Sequence, residues 1–515
     1  MKLRKIIANL LSLGLVLSPM CVYADDSVVA QSEDGTSTYT DYDSAWNAAL
    51  DGIKIVMTSD WNLNSRLIVS EGKTVTIEMN GHKMDRALGF SDKFNGEVIY
   101  LDDHSTLTLT GNNFSDTQFN FQGFNLAYEL SDLTIISGGL VTGGCSTDGA
   151  GGIHMKKGTT LNLENVAVAG NLASNASGQS QGGGIKMDND DCTVNMTNSY
   201  VSYNYSSYNG GGIYVDGENS YINMVSSEIS HNCSSHNGGG IFSNDDATYV
   251  TMNQNSKITE NKAGRNGGGI HFDNPYCQVV SGDSAAEISD NVANYNGGGI
   301  YFESSYRGKN IFVEGITFQS NVSETNEGGA IYITQKNVMI KNCQFYENKA
   351  ELGGAIYIDS SNTTISNCTI QKNSALKEGG GVEVICDYDV NLVGKVIVEN
   401  NSREDGSKDD IFLNKGLFSK AYVSGTPELE SRVGIRCSSE RQVGINQTED
   451  NGSFFSDEDS YKISYKDGEL YKESGSVLGS IFGNANLGAA IVIIVGIAGV
   501  GVVCLIVSKK KKNLK

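Results

Sequence analysis

Tyr208–Ile213 reads YNGGGI, and NGGGI returns at Asn237–Ile241, Asn266–Ile270 and Asn296–Ile300. Glycine loses more backbone freedom on folding than any other residue, so a repeated triplet marks a conformation that other residues adopt only with strain. The residue after each glycine cluster is apolar: Ile153, Ile185, Ile213, Ile241, Ile270, Ile300, Ile331, Ile356 and Val382, spaced 25–32 residues apart. Asparagines stand upstream of these clusters at Asn171, Asn204, Asn232, Asn261, Asn291, Asn321, Asn348 and Asn373, and Asn400 opens a further unit. A large apolar residue precedes each asparagine by three positions, as Ile229 precedes Asn232.

Downstream of the glycines, IKMD, IYVD, IHFD and IYFE alternate apolar and polar residues, the pattern of a short half-buried strand. Stretches such as Val194-Asn195-Met196, and the apolar run ahead of each asparagine, bring the unit to three short strands joined by turns. No 3.6-residue periodicity runs through this region, and a propeller blade needs about 40 residues with antiparallel hairpins. A three-strand unit of about 28 residues fits one coil of a right-handed parallel β-helix, with coils about 4.8 Å apart. Three prolines against 61 glycines agree, because the neighbouring coil needs nearly every backbone N–H. Five residues ahead of the asparagine, Val166, Ser199, Ser227, Ser256, Ala286, Ile316, Cys343 and Cys368 form a small or apolar column expected to point inward. The glycines then read as the corner where each coil enters a new strand, and the stacked asparagines as partners for turn backbone groups.

Two stretches carry a family resemblance: CQFYENKAELGGAIY (Cys343–Tyr357) and ITFQSNVSETNEGGAIY (Ile316–Tyr332). They resemble the FxxN and GGAI repeats of chlamydial polymorphic outer membrane proteins. Over about Gly143–Asn401 the chain resembles right-handed parallel β-helix surface and adhesin-like proteins of the pectin-lyase-like superfamily. The resemblance implies an all-β solenoid at a bacterial cell surface. The chlamydial proteins end in a transporter β-barrel, so a different export route is expected here. Related β-helix polysaccharide lyases need a basic residue near calcium-binding acids.

Residues 1–24 read as a secretory signal peptide: Lys2, Arg4 and Lys5, an apolar run, then cleavage after Ala24. Leu487–Val507 is an uncharged run of 21 residues followed by Lys509–Lys512. It is long enough for a hydrocarbon core of about 30 Å and reads as a membrane-spanning helix with a cytoplasmic basic tail, 508–515. No LPxTG motif for covalent wall attachment precedes it. Between the termini we expect an N-terminal segment with a capping helix (25–54), the β-helix (55–435), C-terminal strands or a cap (436–471) and a stalk (472–486). Within Asp41–Lys54, Trp46, Leu50 and Ile53 share one helical face, with Asp43 or Ser44 as N-cap. The body is expected on the extracellular face of a bacterial membrane, single-pass with the N-terminus outside.

The formal charge is −22; the two terminal segments hold eight basic residues and no acid, which leaves −30 between them. Such a surface repels nucleic acid and anionic lipid. Eight cysteines from Cys145 to Cys437 are scattered with no CxxC, so they predict no zinc site. Cys343 and Cys368 read as small buried hydrophobes, with a disulfide between neighbouring coils as the alternative.

The strand after the glycines presents two outward columns. The first is His154, Lys186, Tyr214, Phe242, His271, Tyr301, Tyr332, Tyr357 and Glu383; the second is Lys156, Asp188, Asp216, Asn244, Asp273, Glu303, Thr334 and Asp359. The aromatic run from Tyr214 to Tyr357 is expected as an exposed face for sugar rings or a protein partner. Mutual stabilisation of stacked rings is the competing reading. Calcium is the candidate bridge for Asp188 with Asp216 and for Asp273 with Glu303, and no other cofactor is required. There is no GxSxG, HExxH or P-loop. Stacked acids reach glycosidase-like separations by coil spacing alone, so that spacing is no sign of catalysis. The sequence thus points to an adhesin-like surface protein that binds glycans or host or neighbour proteins non-covalently along a repetitive face. A polysaccharide lyase or glycoside hydrolase on the same scaffold and a passive surface-layer spacer are the alternatives.

Overall fold

A computed structural model describes residues 27–474, apart from 88–95, 113–116, 122–132, 175–179, 274–275, 284, 304–310, 361, 386–388, 415–421, 429, 438–441, 445–451 and 468. The expected signal peptide, membrane-spanning helix, basic tail and most of the stalk lie outside the described residues. Among the described residues no helix is long and apolar enough to cross a membrane.

The chain forms a right-handed all-β solenoid. One coil runs through Ile213–Asp216, Ser220–Val225, Glu228–Ser230 and Cys233–Ser234, then turns at Gly238–Gly240 into Ile241. Each strand pairs parallel with its counterpart one coil on: Ile213 with Ile241, Ser220 with Thr248, Glu228 with Lys257, Cys233 with Lys262. The coil therefore has four strands where the sequence pattern shows three. The fourth, two residues long, stacks into a ten-stranded ladder from Cys145–Ser146 to Ser402–Arg403. Most strands of this ladder have two residues, too few to display an alternation.

Alternate residues of the first three ladders meet in one continuous apolar core; in this coil they are Ile213, Val215, Ile222, Met224 and Ile229. The column from Val166 to Cys368 is buried throughout, as expected. Its serines also tie coils together: Ser199 N donates to Ser227 Oγ at 3.1 Å. Cys343 and Cys368 are free thiols in this column. Each donates to a carbonyl two residues back at 3.2 Å, and burial pushes the Cys343 thiol well up.

At both ends parallel stacking gives way to antiparallel pairing. Ala30–Ser32 pairs antiparallel with Thr38–Tyr39 and with Ile55–Met57. Tyr461–Lys466 and Glu469–Ser474 form a terminal hairpin, which takes in residues 472–474 that the sequence reading gives to the stalk. The expected helix spans Tyr42–Leu50. Its N-cap is Asp41, whose Oδ1 accepts from Ser44 N at 2.7 Å, so Asp43 and Ser44 lie inside the first turn instead of capping it. Trp46 is buried with Ala45 and Ala49, and its indole N–H donates to Ile68 O at 3.1 Å. Ile53 lies past the helix end and is 40% exposed, so it does not join the buried face. A second hairpin, Gln118–Phe121 with Leu133–Ile136, stands outside the coil repeat as its own two-stranded sheet.

Candidate functional site

The asparagine and glycine motifs together build one corner. Asn204 is fully buried; its Oδ1 accepts from both N and Nδ2 of Asn171 at 3.1 Å. Its own Nδ2 donates to Asn232 Oδ1 at 3.1 Å and to Val168 O at 2.9 Å. The same pattern runs through all eight expected asparagines and on to Asn401, which accepts from Asn373 N at 3.0 Å. The next rung is thus Asn401, one residue beyond the expected Asn400. Asn400 holds the left-handed position ahead of the rung, φ 63°, as Tyr203 does at 55° and His231 at 54°. At the other side of the corner Gly210 takes φ 66°, and a Cβ on Gly211 would lie 2.4 Å from Gly239 O and 2.5 Å from Cys233 O. The triplet is therefore a structural corner that lets coils approach closely.

That corner sets the first outward column in register, and the column continues beyond the expected members to Tyr100 at one end and to Phe412 and Arg436 at the other. Ring centroids lie 5.5 Å apart for Tyr214–Phe242, 4.9 Å for Phe242–His271 and 4.7 Å for His271–Tyr301. The stack goes on at 5.0 Å for Tyr301–Tyr332 and 5.2 Å for Tyr332–Tyr357. The expectation of an exposed face fails along this stack, in which every ring from Tyr214 to Tyr357 is buried except the half-buried Tyr332. Tyr214 is 3%, Phe242 2% and His271 0% exposed. Both faces of each ring are covered by its neighbours, and the corner backbone runs against its base: a Cβ on Gly210 would sit 2.8 Å from Tyr214 Cβ. Burial accordingly pushes the phenols of Tyr214, Tyr301, Tyr332 and Tyr357 above their ordinary range.

The second column, from Lys156 to Asp359, is half-buried along its length. Asp188 does not face Asp216 across an empty gap. Its carboxylate meets His154 Nε2 at 3.1 Å, Lys156 Nζ at 2.7 Å and Lys186 Nζ at 3.6 Å. The His154 contact, helped by Lys156 and opposed by burial, holds Asp188 well below the usual carboxylate range. Asp216 accepts from Asn244 Nδ2 at 2.8 Å. Farther along, Asp273 and Glu303 gather with His271, whose Nε2 lies 3.1 Å from Glu303 Oε2. Burial, then the charge of Glu303, pushes Asp273 up to about 6, while the His271 contact lowers Glu303.

An open aromatic surface does exist, but on the outward face of the second ladder. Tyr221 is 41% exposed and stacks on Tyr249 with centroids 5.0 Å apart and planes at 15°. Beside them runs a second asparagine ladder: Asn223 Nδ2 donates to Asn195 Oδ1 at 2.9 Å, and Asn195 Nδ2 to Asn162 Oδ1 at 2.8 Å. The signal was in the sequence, since Tyr221 and Tyr249 lie one repeat apart and each precedes an inward residue, Ile222 and Val250. A shallow depression of about 360 Å³ lies between the fourth-ladder strands around Val322–Glu324 and Lys349–Ala350. Glu324 is the only carboxylate in its lining, so it holds no acid pair for glycoside hydrolysis.

The corner ladder ends in acids. Asn401 N and Nδ2 both donate to Asp410 Oδ1 at 2.9 Å, and Asp410 N donates to Asp457 Oδ2 at 2.7 Å. Burial, then the charge of Asp457, pushes Asp410 up to about 8. Adjacent Asp409 is gripped by Arg436 through both carboxylate oxygens at 2.7–2.8 Å.

Residues 276–426 match the family model described as a right handed beta helix region. Comparison with curated proteins and with solved structures gave no match. Parallel pairing extends well beyond the matched segment, from Ile55–Met57 to Phe454–Ser456. With that pairing on both sides of the match, the chain has the fold of a right-handed parallel β-helix, consistent with the pectin-lyase-like proteins that its repeats resemble.

Proposed function

We propose that the protein is an adhesin-like surface protein, tethered to a bacterial membrane by residues 487–507. It binds glycans or neighbouring proteins non-covalently along the outward face of the second ladder. The observation that carries this reading is the exposed Tyr221 stacked on Tyr249 beside the Asn162–Asn195–Asn223 amides. An open aromatic offers rigid apolar area, and adjacent amides offer donors and acceptors to hydroxyl or peptide groups. Repetition at coil spacing suits many weak contacts acting together. Helix Tyr42–Leu50 and hairpin Tyr461–Ser474 serve as end caps that keep strand edges from pairing with other chains. The test is to screen the full-length protein against arrays of glycans and extracellular proteins, with analysis for cleaved products. Binding without consumption of ligand is expected, at least tenfold weaker in the double variant Tyr221→Ser, Tyr249→Ser. Unchanged binding in that variant would remove the face from the mechanism.

A second reading rests on His154, Lys156 and Lys186 gathered at Asp188. A polysaccharide lyase needs a base beside acids to take the proton next to a sugar carboxylate. Here both lysines are engaged by Asp188, and substrate would have to release one. Elimination leaves a conjugated double bond, so ultraviolet absorbance on anionic polysaccharides is the readout. Activity abolished by Lys186→Met would favour the enzyme; no absorbance change on any such polymer would exclude it.

A further inference from the structure

We propose a transition-metal site at His271, Asp273 and Glu303, suited to Zn²⁺ or a similar borderline ion more than to calcium. Each residue offers one ligand atom, and these atoms lie within 4.8 Å of one another. His271 is fully buried, and its ring is held between Phe242 at 4.9 Å and Tyr301 at 4.7 Å. Its Nε2 is directed at Glu303 Oε2, 3.1 Å away, and its Nδ1 is buried without a partner. The ring's polar outlet is therefore the mouth formed by the two carboxylates. The Glu303 side chain is 44% exposed, which leaves the mouth open to an entering ion.

An internal control sits in the same column. His154 also contacts a carboxylate, Asp188, at 3.1 Å, but there Lys156 and Lys186 supply positive charge. At His271 two carboxylates converge, and neither pairs with a lysine or arginine among the described residues. A divalent cation would complete the site as the lysines complete the other. One imidazole with two carboxylates is a ligand set for zinc and its neighbours, whereas calcium takes about six to eight oxygens. Three protein ligands also leave a coordination position for water or an external ligand. The inference is independent of what the second-ladder face binds.

The full-length protein in detergent is stripped with chelator and dialysed against Zn²⁺, Co²⁺ or Ca²⁺, and bound metal is counted by mass spectrometry. A single equivalent of Zn²⁺ or Co²⁺ is expected. It should be lost in His271→Phe, which keeps a ring in the stack as Phe242 does, and weakened at least tenfold in Asp273→Asn and Glu303→Gln. His154→Phe should bind as the unmodified protein does. Stoichiometric binding that survives His271→Phe, calcium that displaces Zn²⁺ at equal concentration, or no bound equivalent at all would each overturn the proposal. If His271→Phe does not fold, the two carboxylate variants decide, and unaltered binding in both overturns it.

Discussion

The corner asparagine ladder of this solenoid, Asn171 to Asn401, is buried, whereas the ladder Asn162–Asn195–Asn223 on the second-ladder face is half-exposed. In the corner ladder Asn204 Nδ2 donates to Asn232 Oδ1 at 3.1 Å, with no exposure. On the second-ladder face Asn195 Nδ2 donates to Asn162 Oδ1 at 2.8 Å, half-exposed. The side-chain bonds are alike, and the shorter one is at the surface. What separates them is the alternative to the bond. A corner amide that loses its partner stays buried with an unmet donor or acceptor, which costs about 1–3 kcal/mol per group. A surface amide turns to water. Stability therefore rests on the buried ladder, and the exposed one keeps its amides within reach of solvent.

The strongest way to break this contrast is Asn261→Ala. Asn261 Oδ1 accepts from N and Nδ2 of Asn232, and its Nδ2 donates to Ile229 O and Asn291 Oδ1. We expect a loss of about 4 kcal/mol, from several buried groups left unpaired. Contacts in a solenoid are between neighbouring coils, so hydrogen exchange should rise most in the adjoining coils, and uniform loosening of the whole chain would contradict that. Gly239→Ala comes next. Its Cβ would lie 2.5 Å from Gly268 O and 2.6 Å from Lys262 O, both backbone atoms, so adjacent coils must part. Overpacking of this kind costs about 1–3 kcal/mol, read as a lowered midpoint in denaturant unfolding.

Where the corner ladder ends in Asp410 and Asp457, the same geometry becomes pH-dependent. An unfolded aspartate titrates near 3.9. Folding raises Asp410 to about 8, and buried Glu383 rises to about 7 with burial as the main cause. The folded end thus holds protons that the unfolded chain releases. That stabilisation is complete below about pH 4 and is lost as pH climbs toward 8. Hydrogen exchange in the C-terminal coils should be slower at pH 5.5 than at pH 8.5. Asp410→Asn, which extends the asparagine ladder by one neutral rung, should reduce that difference and add about 1–2 kcal/mol at pH 8.5. An equal or larger pH difference in the variant would place the proton elsewhere. The smallest effect is reserved for the exposed ladder: Asn195→Ala should shift stability by about 0.5 kcal/mol or less, as surface substitutions do. A loss as large as that of Asn261→Ala would erase the distinction between the ladders.

Much of the corner was legible because few local solutions satisfy it. Glycine at positive φ followed by backbone in close approach reads as a corner, and asparagines at coil spacing read as rungs. Asn400 and Asn401 were not separable, because adjacent asparagines look alike until hydrogen bonds choose between them. Tyr214 was legible as outward from its strand, and alternation says no more than that. Its burial depends on the corner folding against its base and on Lys186 and Phe242 above and below. Asp188 and Asp273 look equivalent in the repeat, yet Lys156 reaches only the first. The reach of a long side chain from a neighbouring coil is invisible to a pattern.

The sequence by itself determined the coil: its length, its three readable strands, its inward column and the register that brings Tyr214 over Phe242. These follow from local backbone conformation and from alternation, which are properties of residues near one another in the chain. The tertiary structure alone decided which outward column is covered, which acids are neutralised and where Tyr221 lies open. Burial and charge balance at each position are set by the coils on either side, about 28 residues away in sequence and one strand spacing away in space.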